Sequence, residues 1–202
     1  ACDGDLAVGV LVAAIADLAA HPATARHVTG KLARHFVSDD PPPALLDRLE
    51  RVYRDTGGDL GEVTRTLIAA DEAWAAPPNR LVSPYDFVIA SMRSFGVRAA
   101  DRKLLREFRT LGYNLWRPDA PTGFPDGGDA WLGGDHLLER LDWASAFARR
   151  EGKVAAAPEP VPFATRLLGP DLDADLHTTL ARAESRTQAV ALLLMSVQWQ
   201  RR

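Results

Sequence analysis

Three observations predict an all-α protein of nine or ten helices. Alanine, leucine and arginine are abundant while β-branched runs are scarce, a composition that favours helix over strand. Apolar residues recur at three- and four-residue spacing along most of the chain, the period of one face of a helix. Proline, glycine and small polar residues interrupt that pattern at helix-length intervals, where caps and turns belong. The expected architecture is an irregular bundle with one long aromatic-rich loop and no significant sheet. It forms a single domain over residues 1–202, with a looser subdomain at 153–202.

Composition narrows the function classes. A hydrophobic fraction of 47% beside 25% charged residues is that of an ordinary globular chain, and 202 residues can bury a sizeable core. A net charge of −3 and a pI near 6.0 argue against a nucleic-acid binder, which carries a basic excess. Cys2 is the sole cysteine, which excludes an intrachain disulfide and a thiolate metal cluster while leaving the compartment open.

The longest apolar run, LAVGVLVAAIA at residues 6–16, is too short to cross a bilayer as a helix. Asp3 and Asp5 precede it, where a signal peptide carries Lys or Arg. It is expected to be a central, buried helix over residues 5–20, because it is apolar nearly all round.

His21-Pro22 breaks that helix, and Pro22 suits the first turn of a second one over residues 22–37. Ala25, Val28, Leu32 and Phe36 share a face expected to be core. Ser38-Asp39-Asp40 and three prolines stop it. A third helix over 43–55 spaces Leu45, Leu46, Leu49, Val52 and Tyr53 inward, and Thr56-Gly57-Gly58 ends it. Asp59, with Glu62 three residues on, opens a fourth helix over 60–70 with Val63, Leu67 and Ile68 inward.

A linker at 76–79 precedes a fifth helix, which Ser83 caps and Pro84 starts; Phe87, Val88, Met92 and Phe95 form its stripe, and Gly96 ends it. A sixth helix over 101–111 uses Leu104, Leu105 and Phe108. The seventh, over 135–150, turns Leu137, Leu138, Leu141, Trp143, Ala144 and Phe147 inward. Three more follow a linker at 155–162: a short one over 163–168, one over 172–183, and a last one from Ser185 to Trp199 with an uninterrupted apolar centre.

Between the sixth and seventh helices lies GYNLWRPDAPTGFPDGGDAWLGG, residues 112–134. Its glycines and prolines forbid regular structure, yet Tyr113, Leu115, Trp116, Phe124, Trp131 and Leu132 make it too apolar for disorder. A long loop packed by its own aromatics is uncommon and often functional.

HPATARHVTGKLARHFVSDDPPPALLDRLERVYRDTGGDLGEVTRTLIAADEAW, then LVSPYDFVIASMRSFG, then the loop and LLLMSVQWQRR, together resemble the DUF1800 family of bacterial proteins of uncharacterised function. The resemblance covers most of the chain and looks like the C-terminal portion of a longer protein. The family's usual Gly-Trp-Pro stands here as Gly123-Phe124-Pro125, which keeps a ring and loses an indole N–H. The resemblance implies a helical protein, often exported and often encoded beside a DUF1501-type protein, which is the implied partner. It supplies no activity, cofactor or catalytic residue.

The site residues read from the chain fall in three groups. His27, Lys31 and His35 follow one another at helical spacing with Arg34 adjacent, a basic arc suited to an anionic group or an acidic partner, or else salt-bridged within the fold. His27 and His35 lie about 12 Å apart along the axis, too far to share a metal ion, so neither a metal nor a cofactor is expected. Asp39 and Asp40 suit a cation or acid–base work, or cap the third helix. In the loop, Trp116, Phe124, Asp126 and Trp131 combine rings with a carboxylate, as a sugar-binding cleft does, or plug the loop onto the helices. No nucleophile elbow, phosphate loop or dinucleotide fingerprint occurs. The leading expectation is a protein-interaction or scaffold module. The alternative is a hydrolase acting on a carbohydrate or similar polymer, in a cleft between the second helix's basic face and the 112–134 loop.

Overall fold

A computed structural model describes residues 3–75, 80–98, 102–125, 127–151 and 159–201, with backbone only at 3–6 and 102–103. Among the described residues there are eleven α-helices and no strand: α1 (Asp3–Ala20), α2 (Pro22–Phe36), α3 (Pro43–Asp55), α4 (Leu60–Ala69), α5 (Pro84–Ser94), α6 (Arg102–Thr110), α7 (Gly134–Glu151), α8 (Pro160–Leu168), α9 (Ala174–Ala181), α10 (Arg186–Met195) and α11 (Val197–Gln200). The fold is all-α, as the sequence predicts. One helix more than the expected ten arises because Ser196 breaks the last one and caps α11 through its hydroxyl. The chain divides into two compact units, Ala1–Asn79 and Arg80–Arg202.

In the first unit, α2, α3 and α4 share a core of Ala25, Ala33, Leu45, Leu49, Tyr53, Val63, Leu67 and Ala70. The residues of α2 that are fully covered are small: Ala25, Thr29, Gly30 and Ala33. Small side chains let α3 approach closely, so the expected face is rotated. Ala25 is buried, Val28 and Leu32 are half-buried, and Phe36 is exposed. Ile68 of α4, expected inward, is exposed as well. The His21 ring caps α2 by accepting from the Ala23 N–H at 3.1 Å, and Asp59 caps α4 by accepting from Gly61 and Glu62. Pro42, not Asp39 or Asp40, stands at the N-cap of α3, with no side-chain hydrogen bond, so the expected carboxylate cap is absent.

The turn after α3 depends on glycine. Gly58 has φ +90°, donates its N–H to the Tyr53 carbonyl at 2.7 Å, and lies so close to the Tyr53 ring that a Cβ would meet it at 3.3 Å. The Tyr53 hydroxyl in turn donates to the Ala19 carbonyl at 3.1 Å, pinning the end of α1.

The expectation that α1 is buried is overturned. From Ala7 to Ala20 every residue is exposed; Val8, Val10, Leu11, Val12, Ile15 and Leu18 each show more than half their surface. The reason is geometric. α1 meets α2 across a 61° bend at His21-Pro22, so α2 leads away from it and covers only its C-terminal end.

In the second unit, α5, α6, α7 and α10 surround Phe87, Val88, Met92, Phe108, Leu111, Trp143, Phe147, Val190 and Leu194. α8 and α9 build a neighbouring cluster with the other side of α10, and Phe95 touches both. Leu105, Leu137 and Leu138, expected inward, are exposed. The position on α7 that is covered instead is Arg140, 1% exposed. Its guanidinium donates to Gln200 Oε1 at 2.9 Å and to the Val82 carbonyl at 2.7 Å, and lies over the Phe87 ring. Burial pushes it down to about 10. Gln200 donates onward to the Leu194 carbonyl and accepts, through its own carbonyl, the Val82 N–H. An isolated bridge pairs Leu81 with Arg201. Trp143 Nε1 donates to Glu107 and the half-buried Trp199 donates its Nε1–H to Ser91, so both indoles find acceptors.

Candidate functional site

The basic arc lies in the first unit and the aromatic loop in the second. Along α2, His27, Arg34 and His35 are exposed and Lys31 is half-buried. Arg34 lies back along its own helix, with Nη1 3.4 Å from where a Gly30 Cβ would stand, and the His35 ring packs edge-on against Phe36 at 4.6 Å. Asp39 is half-buried and Asp40 exposed. Among the described residues no three His, Cys, Asp or Glu gather as a metal site.

Where the arc ends, at the last turn of α2, an apolar cavity of about 150 Å³ opens. Phe36 and Val37 form one wall, Thr64, Leu67 and Ile68 of α4 the second, and Ala73 and Trp74 the third. Each wall has a local cause. The α2 helix stops at Phe36 because the prolines that follow cannot continue it. Ile68 and Leu67 are adjacent on α4, so one turns outward as the other enters the core. Trp74 follows a 3-10 turn, Asp71–Ala73, and its Nε1 donates to the Ile68 carbonyl at 2.9 Å. Arg48 of α3 pairs with Glu72 and ties that turn down. The Glu72 carboxyl is held below its ordinary value chiefly by its own backbone N–H, with Arg48 adding to it.

The cavity is dry in character. The Thr64 hydroxyl is used by the Leu60 carbonyl at 2.7 Å, and the Trp74 N–H is already bonded, so the remaining lining is hydrocarbon. Around the mouth stand three large exposed side chains: Phe36 at 67%, Ile68 at 60% and Trp74 at 71%. None of the three was singled out from the sequence as a contact residue. Phe36 and Ile68 were assigned to the core by periodicity. The available signal was Trp74, an indole left beyond the end of its helix.

In the second unit the loop closes on itself. Tyr113 stacks on Phe124 at 4.0 Å and leans on Trp131 at 5.9 Å, while Tyr85 of α5 stacks on Phe108 of α6 and reaches Tyr113 at 6.0 Å. Trp131, on a 3-10 turn at Gly128–Trp131, is buried and Phe124 half-buried. Burial raises the Tyr113 phenol above 10.0, helped by the nearby Asp86 carboxylate and Tyr85. The His136 ring sits against Gly112, where φ is +78° and a Cβ would meet Cε1 at 2.6 Å, so only glycine fits. Asp126 lies outside the described residues.

Trp116 is the exception in the loop. It is 89% exposed and is the one described non-glycine residue with positive φ, at 63°. It occupies the third position of the turn closed by Arg117 N–H to the Asn114 carbonyl at 2.8 Å, where glycine or asparagine is usual. A strained backbone holding a bare indole outward is the kind of outlier found at contact sites.

The family model for a protein of unknown function, DUF1800, matches residues 7–201. The chain belongs to the DUF1800 family. No curated protein and no solved structure matches it. The family match spans both units, so the α2–α4 cavity and the aromatic loop both lie in DUF1800 sequence.

Proposed function

We propose that this DUF1800 chain is a protein-interaction module that takes an apolar side chain of a partner helix into the Phe36–Trp74 cavity. The observation that carries this reading is the dry cavity itself, ringed by three large apolar side chains that remain in solvent. A cavity of about 150 Å³ has room for one leucine- or phenylalanine-sized group. Exposed aromatic and aliphatic anchors around such a pocket are what interface hot spots are made of. Arg34 and His35, in the last turn of α2, favour a partner with carboxylates beside its apolar anchor.

The DUF1501-type protein implied by the family resemblance is the first partner to titrate. Calorimetry with it should give saturable binding that Trp74→Ala and Ile68→Asp each weaken at least tenfold with the fold intact. Binding that neither variant changes rules out the cavity.

Trp116 supports a second reading. A fully presented indole suits stacking on a sugar ring, and the exposed carboxylates of Asp119 and Asp129 in the same loop are groups a glycoside hydrolase would need as a pair. On this reading the chain binds or cleaves a carbohydrate polymer. Glycan binding lost in Trp116→Ala supports it, and reducing-end release lost in Asp119→Asn extends it to catalysis. A chain that binds no glycan leaves only the interaction module.

A further inference from the structure

The exposed α1 helix has more pattern than its uniform hydropathy suggests. Sorted by size, its residues separate. Val8, Leu11, Val12, Ile15 and Leu18 fall within an arc of roughly 120° at 100° per residue. Gly9, Ala13, Ala16 and Ala20 lie opposite, with Asp17, and Leu6 and Val10 are the large residues among them.

The large residues also keep a seven-residue repeat. Val8 and Ile15 occupy one core position, Leu11 and Leu18 the other. A β-branched residue at the first and leucine at the second is the choice that favours two parallel helices over three or four. All four are 56–66% exposed, and among the described residues of the first unit α1 is held at its C-terminal end, by the Pro22 bend, the Thr24 hydroxyl on the Leu18 carbonyl and the Tyr53 hydroxyl on the Ala19 carbonyl.

The area is adequate. Covering Val8, Leu11, Val12, Ile15 and Leu18 with the flanking alanines removes roughly 500 Å² per copy, and two copies reach the roughly 1,000 Å² that a specific interface needs. Asp17 lies on the small-residue side, away from the seam.

We propose that α1 is a self-association helix, and that the large-residue face of one copy packs in parallel against the same face of a second copy. A helix this apolar is a liability in water unless something covers it, and the seam fits its own duplicate. The inference is independent of the α2–α4 cavity, which lies at the far end of α2 and stays open in such a dimer.

Light scattering after size exclusion is the test, at micromolar concentration and above. The expected result is twice the 22.0 kDa chain mass. Leu11→Glu with Leu18→Glu should give the single mass, with far-UV circular dichroism preserved for the remaining helices. Ala13→Glu with Ala16→Glu, on the opposite face, should leave the dimer in place. Val8→Cys in a Cys2→Ser chain reports the direction: mild oxidation should join parallel copies by a disulfide between the two thiols at position 8, two electrons passing to the added oxidant.

A wild-type chain of single mass overturns the proposal. So does a dimer indifferent to the seam glutamates, or one lost equally with the outer-face glutamates. A monomer that co-sediments with phosphatidylcholine–phosphatidylglycerol vesicles through α1 also overturns it, and assigns the face to lipid. A dimer that the Val8→Cys variant fails to cross-link rejects the parallel arrangement.

Discussion

Two helices of this chain carry nearly the same composition and have opposite fates. α1 reads LAVGVLVAAIA through its centre and α10 reads AVALLLM. α10 lies between two clusters and has Ala189, Val190, Leu193 and Leu194 almost fully covered. α1, with as much hydrocarbon, is exposed at every residue from Ala7 to Ala20. Hydropathy reports that a helix must be covered and is silent on what covers it. α10 is wrapped by α7, α8 and α9, all of which precede it in the chain and fold back on it, whereas the bend at Pro22 carries the next element away from α1.

The contrast can be broken by matched truncations. Leu194→Ala should lower the unfolding free energy by about 2–5 kcal/mol, because it empties a packed site. Leu11→Ala should change it by no more than about 0.5 kcal/mol at concentrations where the chain is monomeric, the range of a surface substitution. Urea denaturation measures both, and equal losses would mean that α1 is covered within the chain after all.

A second test asks whether burial of a charge follows the same rule as burial of hydrocarbon. Arg140 is as covered as Leu194, but what holds it is two acceptors, Gln200 and the Val82 carbonyl. Arg140→Met keeps most of the volume and leaves both acceptors without their donor, so stability should fall by roughly 1–3 kcal/mol. Arg140→Lys, which keeps a charged donor on a stem of similar length, should recover part of that loss. A lysine variant no better than the methionine one would show that the hydrocarbon stem, not the hydrogen bonding, matters.

The smallest effect is set by pH and belongs to the aromatic loop. Tyr113 ionises at higher pH in the folded chain than in the unfolded one, because burial, Asp86 and Tyr85 all oppose the phenolate. Its contribution to stability is therefore complete below pH 10 and is lost as pH rises through the raised value. Absorbance at the phenolate band should show one of the three tyrosines titrating late, and Tyr113→Phe should flatten the alkaline end of the stability profile. A profile unchanged by Tyr113→Phe would mean that another group governs it.

The features legible in the chain were those whose partners are close in sequence. Asp59, Ser83 and Ser185 cap helices through N–H groups two or three residues on, so local chemistry was enough. Gly58 and Gly96 end helices for the same reason. What failed was the rotation of α2 about its axis and the width of the buried stripe on α4, α6 and α7. Phe36, Ile68, Leu105 and Leu138 sit on apolar stripes and still face solvent, since a stripe wider than the neighbour it packs on must leave an edge exposed. On α2 the edge was misjudged because Ala25, Thr29 and Ala33 look weaker than Phe36 by hydropathy, yet only small residues admit α3. Arg140 was invisible because its acceptors stand 58 and 60 residues away. The apolar cavity was missed with Phe36 and Ile68, whereas the loop's aromatics were legible as a group and only Trp116 parts from the rest.

The pairing of Leu81 with Arg201, and of the Val82 N–H with the Gln200 carbonyl at 2.9 Å, has a topological consequence. The polypeptide enters the second unit and leaves it at one spot, like a thread tied through a single eyelet. A unit whose ends already touch can be joined head to tail by a short linker and reopened in an exposed loop without stretching its interior. The same doorway would let the unit be carried as an insert within another chain, where it would add mass while leaving the host's own path almost unspaced.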